Sequence, residues 1–273
     1  EGLVPISKHL RDTLGFDMLV DVCGNDYPER EDRFEAIYHF LSISDPKNRW
    51  KRVRLKVAVK EGESIPTLSS LYKSANWFER ETWDMFGLPF ENHPSLKRIL
   101  THWKFVGHPL RKDYDTNLRQ HLDESSPTEW FDVKAHQRDD GSETVLLNIG
   151  PAHPVTHGIV RLVTALDGEE IVNCEPEIGY LHRCFEKEAE GHLWNQVLPY
   201  TDRLNYVSAP MNTIGAAMAF EKLAGIEGEI PERAKWLRMI FAEIGRVMDH
   251  CTCLGPALVD MGALTNYWYF FKI

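Results

Sequence analysis

The segment Gly150-Pro151-Ala152-His153-Pro154-Val155-Thr156-His157-Gly158 brings two imidazoles, His153 and His157, onto one short loop. Two prolines restrict φ and the flanking glycines permit tight turning, so the rings are presented on a stiff support. An imidazole titrates near neutral pH, and a tyrosine or carboxylate beside it supplies or orients a proton, which suits a two-electron, two-proton reduction. The same residues also fit a plain hairpin whose histidines cap backbone groups. Other constellations point less far. Cys251 and Cys253 form a Cys-x-Cys pair, but Cys251 continues an apolar stripe and reads as a structural thiol. His182, Glu186 and Glu190 fall at i,i+4 spacing, which offers metal ligands on a helix face but more commonly makes a solvated or ion-paired one, so no metal site is expected. Neither the dinucleotide-binding glycine pattern nor the phosphate-binding loop motif occurs.

The elements that must position these residues follow from periodicity. Val53 to Val59 alternates as a half-buried strand, with Tyr38 to Ser44 as its partner. From Pro66 a helical pattern runs through Leu68, Leu71, Trp77, Phe78 and Phe86, interrupted near Asn76 and ended by Gly87 and Pro89. Residues 116–143 are polar and aperiodic, a linker between domains expected at 1–115 and 144–273. The second domain opens with strands at Thr144 to Ile149, Val160 to Leu166 and Ile171 to Cys174, a small antiparallel sheet. Helices follow at Tyr180 to Trp194, Tyr206 to Leu223, and from Pro231 to a stop at Gly255. In the last, Trp236, Leu237, Ile240, Phe241, Ile244, Val247, Met248 and Cys251 make one stripe, the pattern of a bundle's core helix. The fold class is α+β.

Composition sets outer bounds. The 273 residues are 43% hydrophobic and 26% charged, ordinary globular values. A formal charge of −10 with scattered basic residues argues against nucleic acid as a partner. Five irregularly spaced cysteines do not make a secreted disulfide framework, and no apolar run is long enough to span a bilayer. The first residue is Glu1, and Phe271-Lys272-Ile273 follows an apolar run without a cap, so the segment is expected to be a fragment whose last element continues.

Several motifs resemble a known family. Glu79-Arg80-Glu81-Thr82-Trp83-Asp84-Met85-Phe86-Gly87, His93-Pro94, Arg98-Ile99-Leu100 and Gly107-His108-Pro109-Leu110-Arg111-Lys112-Asp113-Tyr114 are similar to the C-type subunit of bacterial NADH:quinone oxidoreductase, respiratory complex I. Asn148 to Arg161, Ile178 to Arg183, Tyr200 to Tyr206, Glu221-Lys222-Leu223 and Asp260 to Thr265 are similar to its D-type subunit, which has the hydrogenase large-subunit fold. The resemblance therefore implies a fused C/D subunit of the peripheral arm, on the cytoplasmic side of the bacterial inner membrane. It implies quinone as substrate, no cofactor bound by this chain alone, and a partner iron–sulfur subunit that carries the terminal cluster, with other peripheral-arm and membrane-arm subunits as further partners. The family's catalytic positions fall on His157, Tyr206 and Asp260, supporting quinone-site positions on Arg203 and Ser208, and a position near the cluster on Arg183. This fragment alone is expected to be inactive. Asn205, Cys184 and Glu177 depart from the family pattern, which usually has aspartate, glycine, and histidine or aspartate there. A nickel–iron hydrogenase relative is the rival enzyme, but its N-terminal Cys-x-x-Cys pair is absent. A non-catalytic assembly scaffold is the alternative from another class.

Overall fold

The computed structural model describes residues 2–122, 124, 126–133, 144–153 and 156–272. Residues 134–143 of the expected linker and Pro154-Val155 of the histidine loop lie outside the described residues. The chain forms two compact units, one of residues 1–148 and 160–182, the other of residues 149–159 and 183–273. The strands that follow the linker thus group with the first unit, and the histidine loop with the second. Helices and sheets coexist as the α+β reading requires.

In the first unit, α1 (Leu3–Asp12) precedes an antiparallel sheet of β1 (Met18–Asp26), β2 (Phe34–Leu41) and β3 (Arg52–Val59) in the order β1-β2-β3. Alternation builds its core: Phe34, Ala36, Tyr38 and Phe40 of β2 all point inward, at 1% exposure or less. They meet Leu3 and Leu10 of α1, Leu68 and Tyr72. Neither α1 nor β1 was evident in the sequence. The buried stripe of α1 is Leu3, Ser7 and Leu10, with a serine in the middle. In β1, a bulge between Leu19 and Asp21 breaks the two-residue period, and the inward face then carries Gly24 and Asp26. The partner strand expected at Tyr38 to Ser44 lies earlier, at Phe34–Leu41, in full register with β3.

The helix expected from Pro66 is a turn segment followed by α2 (Ala75–Phe86), flanked by the short parallel pair β4 (Ile65–Pro66) and β5 (Phe90–Glu91). A helix side chain holds the turn in its non-helical shape: the carboxylate of Glu79 accepts the Leu68 N–H at 2.7 Å and the Thr67 hydroxyl at 2.5 Å. On β1, the Val22 carbonyl accepts from Thr82 at 3.0 Å and the Leu19 carbonyl from Ser74 at 2.9 Å, so α2 covers the open edge of the sheet. Gly24 is required there, because a Cβ would stand 2.6 Å from the Phe86 ring.

Glu79 is fully buried, and burial drives its carboxyl up to about 7, above the usual range, despite the two hydrogen bonds. His93 lies 3.9 Å away but is no ion-pair partner. Its Nδ1 accepts the Ser95 N–H and its Nε2 donates to the Asn76 carbonyl, which together describe a neutral ring. A proton retained in the fold and lost from the unfolded chain means that stability falls as pH rises from about 4.5 to about 7, by about 3 kcal/mol for this group. Glu79→Gln keeps an acceptor for Leu68 and a polar contact to Thr67. Subtracting its urea-unfolding profile across that window from that of the parent chain should leave this slope, and a flat difference would remove Glu79 as its source.

The second sheet has the order β10-β9-β6, with β6 (Val145–Ile149), β9 (Arg161–Asp167) and β10 (Glu170–Glu177). Its core is small, Val163 and Ala165 against Phe131 and Val133 next to a short 3-10 turn at Thr128–Trp130. Buried Arg161 ties this unit together by donating to Asn148 Oδ1, the Ser126 carbonyl and Glu177.

The second unit consists of the hairpin β7 (Ala152–His153) and β8 (Gly158–Ile159), then α3 (Phe185–Glu190), α4 (Trp194–Thr201), α5 (Ala209–Ala224), α6 (Glu232–Asp260) and α7 (Leu264–Tyr269). The single helix expected over Tyr180 to Trp194 is replaced by α3 and the start of α4, because Gly191 ends the first and Leu193 adopts an extended conformation before the second. Gly255 is not a stop either. Helix α6 continues through Gly255 and Pro256 to Asp260, and the glycine lets another helix approach: a Cβ there would sit 3.1 Å from the Tyr267 ring of α7. The apolar stripe of α6 is exposed in this chain, with Trp236, Ile240, Phe241, Ile244, Val247 and Met248 each at least half open, and the residues buried on α6 are Gly245 and Gly255.

Candidate functional site

His157 sits between Thr156 and β8 with φ +49, a left-handed conformation that costs a residue with a Cβ about 1 kcal/mol. The hairpin holds it there. His153 pairs with Gly158 across the ladder, and Thr156 Oγ1 lies 2.6 Å from the His153 carbonyl and 3.0 Å from that of Gly158. His153 therefore belongs to the hairpin that carries the loop. The ring of His157 reaches out of it to the last residue of α6, with Nε2 2.7 Å from Asp260 Oδ2 across 103 residues of sequence. Both side chains are about a third exposed, so the contact contributes about 0–1 kcal/mol to stability. Its consequence is orientation: with Nε2 engaged, Nδ1 is the nitrogen left to meet a ligand.

Asp260 also marks a register on α6. Asp249 lies eleven residues earlier, close to three helical turns, so the two carboxylates share one face, and Gly245 lies about one further turn back, roughly 60° round the helix from Asp260. That face receives the segment leading into α5. The Asn205 amide donates to Ser208 Oγ at 2.7 Å and reaches Asp249 Oδ2 at 3.5 Å, while a Cβ on Gly245 would lie 3.8 Å from Ser208 Cα. From α5, the Asn212 amide donates to the Asn205 carbonyl at 3.0 Å and steadies the same segment. Ser208 is buried at the start of α5, whereas Tyr206 is half exposed and Arg203, on a 3-10 turn over Asp202–Leu204, is exposed.

The expected residues are thus brought together in part. His157 joins Asp260, and the Arg203 to Ser208 segment joins the same face of α6 at an axial separation of about 16 Å. No hydrogen bond links Tyr206 to His157 or Asp260 among the described residues. Arg183 is exposed immediately before α3, with no side-chain hydrogen bond among the described residues. His182 precedes the α3 helix that carries Glu186 and Glu190, so these three do not share a helix face. Sequence reading missed Asp249, although an eleven-residue spacing from Asp260 on a long helix was a usable signal.

Comparison with known proteins bears on both halves. The family described as respiratory-chain NADH dehydrogenase, 30 Kd subunit, matches residues 1–120. The C/D subunit of the NADH-quinone oxidoreductase of Bdellovibrio bacteriovorus is 51% identical over 263 residues, which cover 96% of this chain and 46% of that protein. Over nearly its whole length the chain is similar to part of a C/D subunit. The corresponding C/D protein of Azotobacter vinelandii is 39% identical over 295 aligned residues, covering 99% of this chain and 48% of its own. The chain spans about half the length of these curated C/D relatives. A solved structure of a trypsin-resistant Nqo5 fragment is 35% identical, covers 35% of this chain and 76% of its own, and has a TM-score of 0.32.

The departures from the C/D pattern have local explanations. Cys184 has φ +49, the conformation that the family's usual glycine adopts without strain. Asn205 offers a neutral donor beside Asp249, where the usual aspartate would place a second carboxylate. Glu177 accepts from Arg161, from the Ser126 hydroxyl and, at 2.5 Å, from Tyr180, whose phenol is pushed up to about 12 by burial first and then by this carboxylate.

Proposed function

We propose that this chain forms part of the quinone-reduction cavity of a proton-pumping NADH:quinone oxidoreductase, beside a terminal iron–sulfur cluster held by a partner subunit. The observation that supports it is the shared face of α6, which holds His157 through Asp260 and the Arg203 to Ser208 segment through Asp249 and Gly245. A headgroup between the two segments meets an imidazole at one carbonyl oxygen and a phenol at the other. The partner's cluster supplies two electrons one at a time. As electron density rises on the quinone oxygens, the Tyr206 hydroxyl and His157 Nδ1 stabilise it by hydrogen bonding and each deliver one proton, giving the quinol; both residues then recover protons from solvent. Asp260 keeps the ring aimed and balances the imidazolium by a charge-assisted hydrogen bond. The exposed guanidinium of Arg203 favours the same developing negative charge, Ser208 fixes the segment, and Arg183 faces the cluster-bearing partner.

In this reading the protein sits peripherally on the cytoplasmic side of the bacterial inner membrane. No helix among the described residues is long and apolar enough to cross a membrane. Membrane-arm subunits make that contact in the proposed assembly. The chain alone holds no redox cofactor and is inactive. The decisive measurement uses the assembled complex carrying Tyr206→Phe, which removes one hydroxyl. Quinone reduction should fall at least about tenfold while reduction of the clusters by NADH is unchanged. An unaltered quinone rate would exclude Tyr206 from the chemistry.

A further inference from the structure

Outside the histidine loop, the outer face of the first sheet carries a cluster of unlike metal-ligand groups. Asp21 and Cys23 are two residues apart on β1, past the bulge, and therefore point to the same side. His39 on β2 is the cross-strand partner of Asp21, and its Nδ1 lies 3.5 Å from Asp21 Oδ2. One donor atom from each of the three residues falls within 4.8 Å of the other two, and all three side chains are partly open to solvent. Two donors on a tetrahedral zinc ion stand about 3.4 Å apart, so the His39 to Asp21 separation already matches an edge of that geometry. We propose that Asp21, Cys23 and His39 form a three-ligand site for Zn2+, with water in the fourth position.

The charges agree with a divalent ion, since one thiolate and one carboxylate neutralise it while imidazole adds none. The choice of donors selects zinc over magnesium or calcium, which take oxygen ligands. The thiol must lose its proton to solvent as the metal binds. Burial first, then the carboxylates of Asp21 and Glu81, raise that thiol to about 11, so affinity rises with pH. A second proton must move within His39. The Arg54 Nε–H donates to His39 Nε2 at 2.9 Å, which makes Nε2 the acceptor and leaves the ring proton on Nδ1, where the metal would bind. Loading transfers that proton to Nε2 and turns the exposed Arg54 side chain away. Arg54 is thus an antagonist of the site, holding the wrong tautomer for coordination.

That antagonism makes the test specific. The chain, stripped with chelator, is titrated with Co2+ as a spectroscopic stand-in for zinc. One equivalent should produce a thiolate-to-cobalt charge-transfer band that Zn2+ then abolishes. Cys23→Ser should lack the band although Cys174, Cys184, Cys251 and Cys253 remain, and His39→Ala should bind about tenfold or more weakly. Arg54→Ala should bind about fivefold more tightly, a gain that misfolding cannot produce. Absence of the band in the parent chain, its persistence in Cys23→Ser, or an Arg54→Ala variant that binds no more tightly would each overturn the assignment.

Discussion

Replacing Asp84 by alanine should lower the stability of the first unit by about 3–5 kcal/mol, the cost of stripping one partner from a buried charge network. Asp84 is fully buried on α2, yet its carboxylate is held below the usual range. Burial raises it, but the Thr101 hydroxyl, the N–H groups of Thr101, Ile99 and Leu100 and the guanidinium of Arg98 more than offset that penalty. Alanine would leave all of these donors without their acceptor. Asp84→Asn does little better, because its amide would direct two N–H groups at the same donors. Since the folded-state carboxyl is depressed, its contribution is present above the unfolded value near 3.8 and lost as pH falls through the lower folded value. Guanidinium unfolding at pH 7, followed through the fluorescence of a variant in which Trp194, Trp236 and Trp268 of the second unit are replaced by Phe, reads the loss in the first unit. A change under about 1 kcal/mol, the range of an exposed pair such as Lys104 with Glu124, would show that the network contributes little.

The same network explains what the motifs of the first unit are for. As sequence, Glu79 to Gly87, Arg98 to Leu100 and Gly107 to Tyr114 are a signature with no evident chemistry. In the structure they interlock at the end of α2. His108 Nδ1 lies 3.0 Å from the Asp84 carbonyl, the Leu110 N–H donates to that of Met85 at 3.0 Å and Arg111 donates to that of Phe86 at 2.6 Å, so the carbonyls left open at the helix terminus are filled in succession. Gly87 must be glycine twice over, with φ +74 and a Cβ position 2.5 Å from the His108 ring. Lys112 then ties the loop to β1 through Asp26 at 2.7 Å. None of these partners stands at a regular spacing from the others, which is why periodicity located β3 and part of β2, and Gly87 with Pro89 marked the helix end, while nothing marked the clamp. The sheet was legible where inward residues alternate, as in β2 and β3, and invisible in β1, where the buried positions hold Gly24 and Asp26. At the candidate site, residue type was legible through family resemblance, while the use of one α6 face by two segments depends on α6 continuing past Gly255.

His157 and Asp260 allow the proposed chemistry to be separated from the scaffold. In the assembled complex, His157→Ala should reduce quinone turnover about 100-fold or more, the lower end of what a positioned proton donor supplies. Asp260→Asn should reduce it less, about tenfold, because an amide oxygen can still accept from Nε2 but no longer balances the imidazolium. Neither change should move the stability of the second unit by more than about 1 kcal/mol, since the pair is a third exposed. The double variant discriminates best. If Asp260 acts through the ring it orients, adding Asp260→Asn to His157→Ala should cost almost nothing more, whereas independent roles would multiply. Cluster reduction by NADH, measured alongside, should stay at the parent level in all three. A fully active His157→Ala would remove the imidazole from the mechanism, and multiplying effects would recast Asp260 as a separate contributor rather than the residue that aims His157.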